Sequence, residues 1–158
     1  MKYRKYRLTK QRRDYDCGPA AIVNTMKLCG KAVSYTASQQ SLFRALKIQE
    51  NKGVYVSEFE AFMFKHKFLK KRLALVVNNP TVKQVENILD DGLVAILAFG
   101  RGPNKSGHLC VIAGRNREGF EIVNWDKKGT IQTVGFDTFK NSVLKYKEAS
   151  YYFFDKGI

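Results

Sequence analysis

Residues 93–99 read LVAILAF, seven apolar residues in a row. A run of this length and evenness suits a β-strand buried on both faces rather than one with a wet side. The segments around it are strand-like as well. RLALVV (72–77) precedes it, and HLCVIAG (108–114) and FEIVNWD (120–126) follow. The last two are joined by RNRE and a glycine, a hairpin signature. GTIQTVG (129–135) and SYYFF (150–154) add two further strands, with short helices at TVKQVENILDDG (81–92) and FDTFKNSVLKY (136–146). Helices fill the first half of the chain and antiparallel strands the second. The expected fold class is therefore α+β, an N-terminal helical lobe packed on a C-terminal antiparallel sheet. A cleft between such lobes suits a peptide-sized ligand.

The helical half opens with CGPAAIVNTMKL (17–28), apolar on most sides and stopped by Gly30. A second helix is expected over 34–47, with Leu42, Phe43 and Leu46 on one face. A third follows the turn at Gly53, where Ser57 and Glu60 have the spacing of a capping box. Before all of these, residues 1–13 form a basic arm in which Tyr3, Tyr6 and Leu8 alternate with Lys and Arg. It is either an extended segment packed on the domain or a loose tail. The domain reading is a basic N-terminal arm over 1–13 and a single domain over 14–158.

Composition narrows the function classes. The chain has 158 residues, 44% of them hydrophobic, enough for one sizeable core. No stretch has the length of a membrane span, and the polar start is no secretory signal, so the expected compartment is the cytoplasm. Three cysteines, Cys17, Cys29 and Cys110, are too few and too odd for a disulfide framework. No Cys-x-x-Cys pair occurs, and His66 and His108 share no ligand spacing with the cysteines. No metal and no organic cofactor is expected. The net charge of +14 either attracts polyanionic partners (nucleic acid, acidic protein segments or anionic lipid) or serves solubility alone.

The chemistry concentrates at QRRDYDCGPA (11–20). Cys17 stands at a helix start, where the positive end of the dipole favours thiolate, the nucleophilic form. Gly18 removes bulk beside the sulfur, and Pro19 fits a first helical turn. A nucleophilic cysteine needs a base, and His108, at a strand end after a glycine-bearing loop, is the candidate. His66, in the lysine-rich FKHKF, reads as a surface residue. If the hairpin is regular, Asn124 or Asp126 comes opposite His108, and either can hold the imidazole through its ring N–H. Trp125 between them faces away or screens the pair from water. Gln11 and the backbone N–H of Cys17 are candidate oxyanion donors. Cys29 reads as core, and Cys110 as either core or cleft lining.

The ordered set Gln11, Asp16-Cys17-Gly18-Pro19-Ala20, then GHLCVI and VNWD, resembles the papain-like cysteine peptidases. It is most similar to the bacteriocin-processing family that cuts leader peptides after a double glycine. Gln11, Asp16, Cys17 and Ala20 match that family's hallmark, and NKGVYVSEFEAFMFKHKF, VENILDDGLVAILAF and GTIQTVGFDTFKNSV are similar to later parts of it. The resemblance implies a papain-like fold and a thiol peptidase without cofactor. Its implied roles are Cys17 as nucleophile, His108 as base, Asp126 or Asn124 as third member, and Gln11 at the oxyanion. The family's hairpin ends Asp-Pro where this chain has Asn-Trp-Asp-Lys, so counting forward from His108 gives Asn124 and counting back from Phe139 gives Asp126. Family members are often joined to an exporter's membrane segments, and this chain has no such span. The same constellation serves related acyl transfers such as deamidation. Two other functions compete: a catalytically silent peptide- or protein-binding module of the same fold, and a basic nucleic-acid binder in which Tyr3, Tyr6 and Tyr15 stack on bases.

Overall fold

The computed structural model describes residues 7–11, 15–48, 54–100, 107–126, 130–143 and 148–157. The apolar run at 93–99 lies at the heart of the fold, in β2 (Leu93–Gly100). Its alternate residues split between two cores. Val94, Ile96 and Ala98 face one, and Ala95, Leu97 and Phe99 face the other. This is the period of two that a pleated strand imposes. A strand dry on both sides needs cover on both sides, and helices supply it.

On the first face pack α1 (Cys17–Leu28), α2 (Tyr35–Ala45), α3 (Val56–Lys65) and α4 (Lys67–Arg72). On the second lie α5 (Val82–Asp90) and α6 (Phe136–Val143), which bury Val85, Leu89, Phe139 and Val143. The helical lobe on an antiparallel sheet is as the sequence implies. The two short helices of the second half add a third layer behind it.

The sheet has six strands in the order β1-β6-β2-β3-β4-β5, every pair antiparallel. These are β1 (Leu73–Asn78), β3 (Gly107–Arg115), β4 (Gly119–Val123), β5 (Ile131–Gly135) and β6 (Glu148–Asp155) around β2. The closing strand β6 is threaded between β1 and β2, which ties the C-terminal segment into the centre. Tyr152, Phe153 and Phe154 of that strand are fully buried, each contributing roughly 1.5–3 kcal/mol by removal from water. Gly119 is required where β4 meets β5. A β-carbon there would lie 2.0 Å from the Val134 carbonyl oxygen.

Local signals explain most boundaries. After α1 the chain reverses through Gly30 at φ +86°, and the Lys31 N–H reaches back to the Met26 carbonyl at 2.9 Å. Helix α5 opens on a reciprocal capping box. Thr81 Oγ1 accepts the Gln84 N–H, and Gln84 Oε1 accepts the Thr81 N–H. The capping box expected at Ser57 and Glu60 does not form. Helix α3 is already under way at Val56, and Glu60 instead accepts a hydrogen bond from the Tyr152 hydroxyl across to the sheet. The lysine-rich stretch is two helices, not one. His66 caps the second with its ring Nδ1, which accepts the Leu69 N–H at 3.4 Å, and it is half-buried rather than on the surface. Residues 1–6, 12 and 13 of the basic arm, and the expected turn at Gly53, lie outside the described residues.

Candidate active site

Cys17 is the first residue of α1 and is 3% exposed. Pro19 sits in the first turn, where no N–H is needed, and Gly18 lets the helix pack closely on Val54, just ahead of α3, with Leu109 of β3 beside it. A β-carbon at Gly18 would come within 2.9 Å of Val54 and 3.5 Å of Leu109. The close approach brings the Cys17 sulfur onto β3. Backbone N–H groups of Leu109, Gly18 and Cys17 itself are directed at the sulfur, and Leu109 is the residue that follows His108. Asp16, ahead of the sulfur, is buried and accepts a hydrogen bond from the Tyr35 hydroxyl at 3.1 Å.

These N–H groups favour thiolate, as a helix start should, but burial outweighs them. With Asp16 adding a like charge, the Cys17 thiol is pushed up to about 11. The thiolate expected from the dipole alone is therefore not the resting form. His108 is drawn below its ordinary 6.5 by burial, against an opposing contribution from the Asn124 carbonyl. Burial thus disfavours the charged form of both the sulfur and the imidazole. Cys110 is buried among Leu97 and Ile112, and Cys29 is buried beneath the helical layer. Both thiols are pushed up by burial, which fits packing roles.

His108 Nε2 faces the main-chain carbonyl of Asn124 at 3.3 Å. A carbonyl only accepts, so Nε2 carries the proton and Nδ1 keeps the lone pair of a base. The ring packs edge-on against Phe99, centroids 5.5 Å apart. Phe99 in turn lies 6.3 Å from Trp125, and Trp125 5.8 Å from Phe139. Trp125 thus walls the imidazole through Phe99.

The regular hairpin expected over 120–126 ends early. Strand β4 stops at Val123, and Asn124 leaves the sheet with a left-handed φ of +58°. The parity that would set Asn124 and Asp126 opposite His108 is lost there. Asn124 is buried, and its side chain turns to the N-terminal segment. Its Oδ1 accepts the Gln11 N–H at 3.0 Å, and its Nδ2 donates to the Thr9 carbonyl at 3.0 Å. Asp126 is exposed, with Oδ2 accepting from Gln132 Nε2 at 3.2 Å. Gln11, half-buried, is thereby drawn onto the residue whose carbonyl orients His108.

One residue escaped the sequence reading. Asn24 of α1 is fully buried and grips Thr9, with Oδ1 accepting its N–H at 2.6 Å and Nδ2 donating to its carbonyl at 2.9 Å. A lone amide inside the apolar run AAIVNTM was the available signal. Tyr15, expected as a base-stacking residue, packs half-buried against Phe43 with ring centroids 6.1 Å apart. Among the described residues no group of three or more His, Cys, Asp or Glu could hold a metal ion, and no helix is long and apolar enough to cross a membrane.

A helical layer on one face of a six-stranded antiparallel sheet, with two short helices on the other, is a known architecture. The fold is the papain-like fold of C39-type peptidases. The crystal structure of the peptidase domain of Streptococcus ComA, a bifunctional ABC transporter of a quorum-sensing pathway, superposes with a TM-score of 0.63 at 14% identity. The match covers 95% of this chain and 98% of that one. A putative C39-like peptidase from Bacillus anthracis superposes with a TM-score of 0.61 at 13% identity, over 93% of this chain and 94% of the other. No family model and no curated protein matches the chain.

Proposed function

We propose that this chain is a cysteine peptidase, a single domain over 14–158 to which the N-terminal segment contributes Gln11. Cys17 attacks the substrate carbonyl. Its proton passes to Nδ1 of His108 and then to the leaving amine, and water releases the acyl group from the sulfur. Burial disfavours both charged forms, so proton transfer accompanies attack and His108 acts as a general base. The Asn124 carbonyl holds Nε2, with Asp126 as the alternative orienting group. The Cys17 N–H and the Gln11 amide stabilise the oxyanion. The substrate is a peptide or protein, and the net charge of +14 favours acidic segments in it. No metal or organic cofactor enters these steps.

One observation carries this reading: the sulfur rests on the N–H of the residue next to a histidine whose distal nitrogen is already committed to a carbonyl. The test is a peptide-library digest with wild type beside Cys17→Ala and His108→Ala. Cleavage by wild type and none by either variant supports it. Cleavage that survives Cys17→Ala removes it.

The depth of Cys17, 3% exposed, favours a second reading, a binding module of the same fold that grips a peptide without cutting it. It predicts peptide binding by wild type with no product, and equal binding by Cys17→Ala.

A further inference from the structure

We infer that Asn24 and Asn124 are positioning residues that set the register of the Gln11 segment against the nucleophile and the base. The inference rests on the peptidase reading and deepens it. Two neutral amides converge on the backbone of one residue, Thr9. Asn24 takes both its N–H and its C=O, as a neighbouring strand would. Asn124 adds a second donor to the same C=O, filling its second lone pair, and takes the N–H of Gln11 two residues on.

The origins of the two amides give the arrangement its meaning. Asn24 stands seven residues after Cys17 in α1, two helical turns along the same face. Asn124 presents its main-chain carbonyl to His108. The Gln11 segment is therefore fixed to the helix of the sulfur on one side and to the turn that orients the imidazole on the other. Both amides are buried, so neither competes with water. An oxyanion donor must be in place before charge develops, and a shift of about 1 Å is enough to lose much of its effect.

The test separates two reactions of the same sulfur. Alkylation by iodoacetamide displaces iodide at a saturated carbon, forming the thioether as the thiol proton leaves, and it creates no oxyanion. Hydrolysis of a cleaved peptide passes through a tetrahedral oxyanion. Asn24→Ala, Asn124→Gly and Gln11→Ala are compared with wild type, glycine at 124 removing the amide while keeping the left-handed backbone that presents the carbonyl to His108. Gln11→Ala is expected to lower kcat about 100-fold. The two asparagine variants are expected to lower kcat at least about tenfold with KM little changed, and to add nothing further on the Gln11→Ala background. All should alkylate Cys17 at the wild-type rate. Hydrogen exchange supplies a readout free of activity, since the Thr9 and Gln11 N–H groups should lose protection in the asparagine variants. If Asn24→Ala loses its cooperative urea transition, Thr9→Pro carries the test, because it removes the Thr9 N–H, with Thr9→Val as the control for the hydroxyl that accepts from Lys27 Nζ.

The inference is overturned if folded variants hydrolyse within about twofold of wild type, if alkylation falls as far as hydrolysis, or if the losses add to that of Gln11→Ala. Should wild type cleave nothing, the peptidase reading fails by itself. Exchange then decides the clamp: lost protection supports it and retained protection overturns it.

Discussion

Asn124 gives an inversion of the usual glycine rule. Its side chain makes two hydrogen bonds of 3.0 Å from a buried position, and its backbone sits at φ +58°. Truncation deletes both bonds, at about 1 kcal/mol net each. The Thr9 carbonyl keeps its bond from Asn24, whereas the Gln11 N–H loses this acceptor. For alanine, the left-handed backbone adds roughly 1–2 kcal/mol, which glycine escapes. Asn124→Gly should therefore cost about 2 kcal/mol and Asn124→Ala about 3–4 kcal/mol. In an ordinary helix or strand position glycine is the worse of the two by about 0.5–1 kcal/mol. Equilibrium urea unfolding measures the difference, followed by fluorescence of Trp125, the single tryptophan, and by far-ultraviolet circular dichroism. The two probes should give coincident transitions with m unchanged. A glycine variant less stable than the alanine variant would refute the reasoning, because it would mean that neither the backbone angle nor the turn survives in solution.

Other outcomes follow from the same contacts. Gly119→Ala should destabilise by more than about 3 kcal/mol in the same assay, because its β-carbon meets backbone rather than a movable side chain. Thr81→Ala should cost about 1 kcal/mol through loss of the α5 capping box, with no change in peptide cleavage. The pKa of His108 is lowered on folding, so the unfolded chain takes up a proton first as pH falls. Its stability contribution is complete above about 6.5 and is lost as pH drops toward the folded value, and His66 acts in the same direction. His108→Gln should flatten that acid limb in urea titrations at stepped pH. At the other end, the thiols of Cys17 and Cys29 are raised from 9.0 to about 11. Stability should fall between those values, and Cys17→Ala should reduce the fall.

The fold was legible because its strongest signal, LVAILAF, demands burial on both faces, and because Gly30 and Gly92 stand where helices α1 and α5 must end. The candidate nucleophile and base were legible from residue type and order. What periodicity could not see was backbone angle. FEIVNWD keeps its alternation through Asp126, but Asn124 turns left-handed, and the group that faces His108 Nε2 is its main-chain carbonyl rather than a side chain. Nor could the sequence weigh desolvation against the helix dipole. Only the depth of Cys17 in the fold shows burial to be the larger effect. Asn24 was hidden for a related reason. Its partner is backbone fifteen residues upstream, and no spacing rule marks such a contact.

The most direct measurement is covalent. Wild type, mixed with an activated acyl ester that forms a slowly hydrolysed thioester, is quenched in acid early in the reaction and peptide-mapped by mass spectrometry. The account predicts one acyl group on Cys17, none on Cys29 or Cys110, and none at all in His108→Ala. An acyl group spread over the three cysteines, or unchanged labelling of Cys17 without His108, would contradict it.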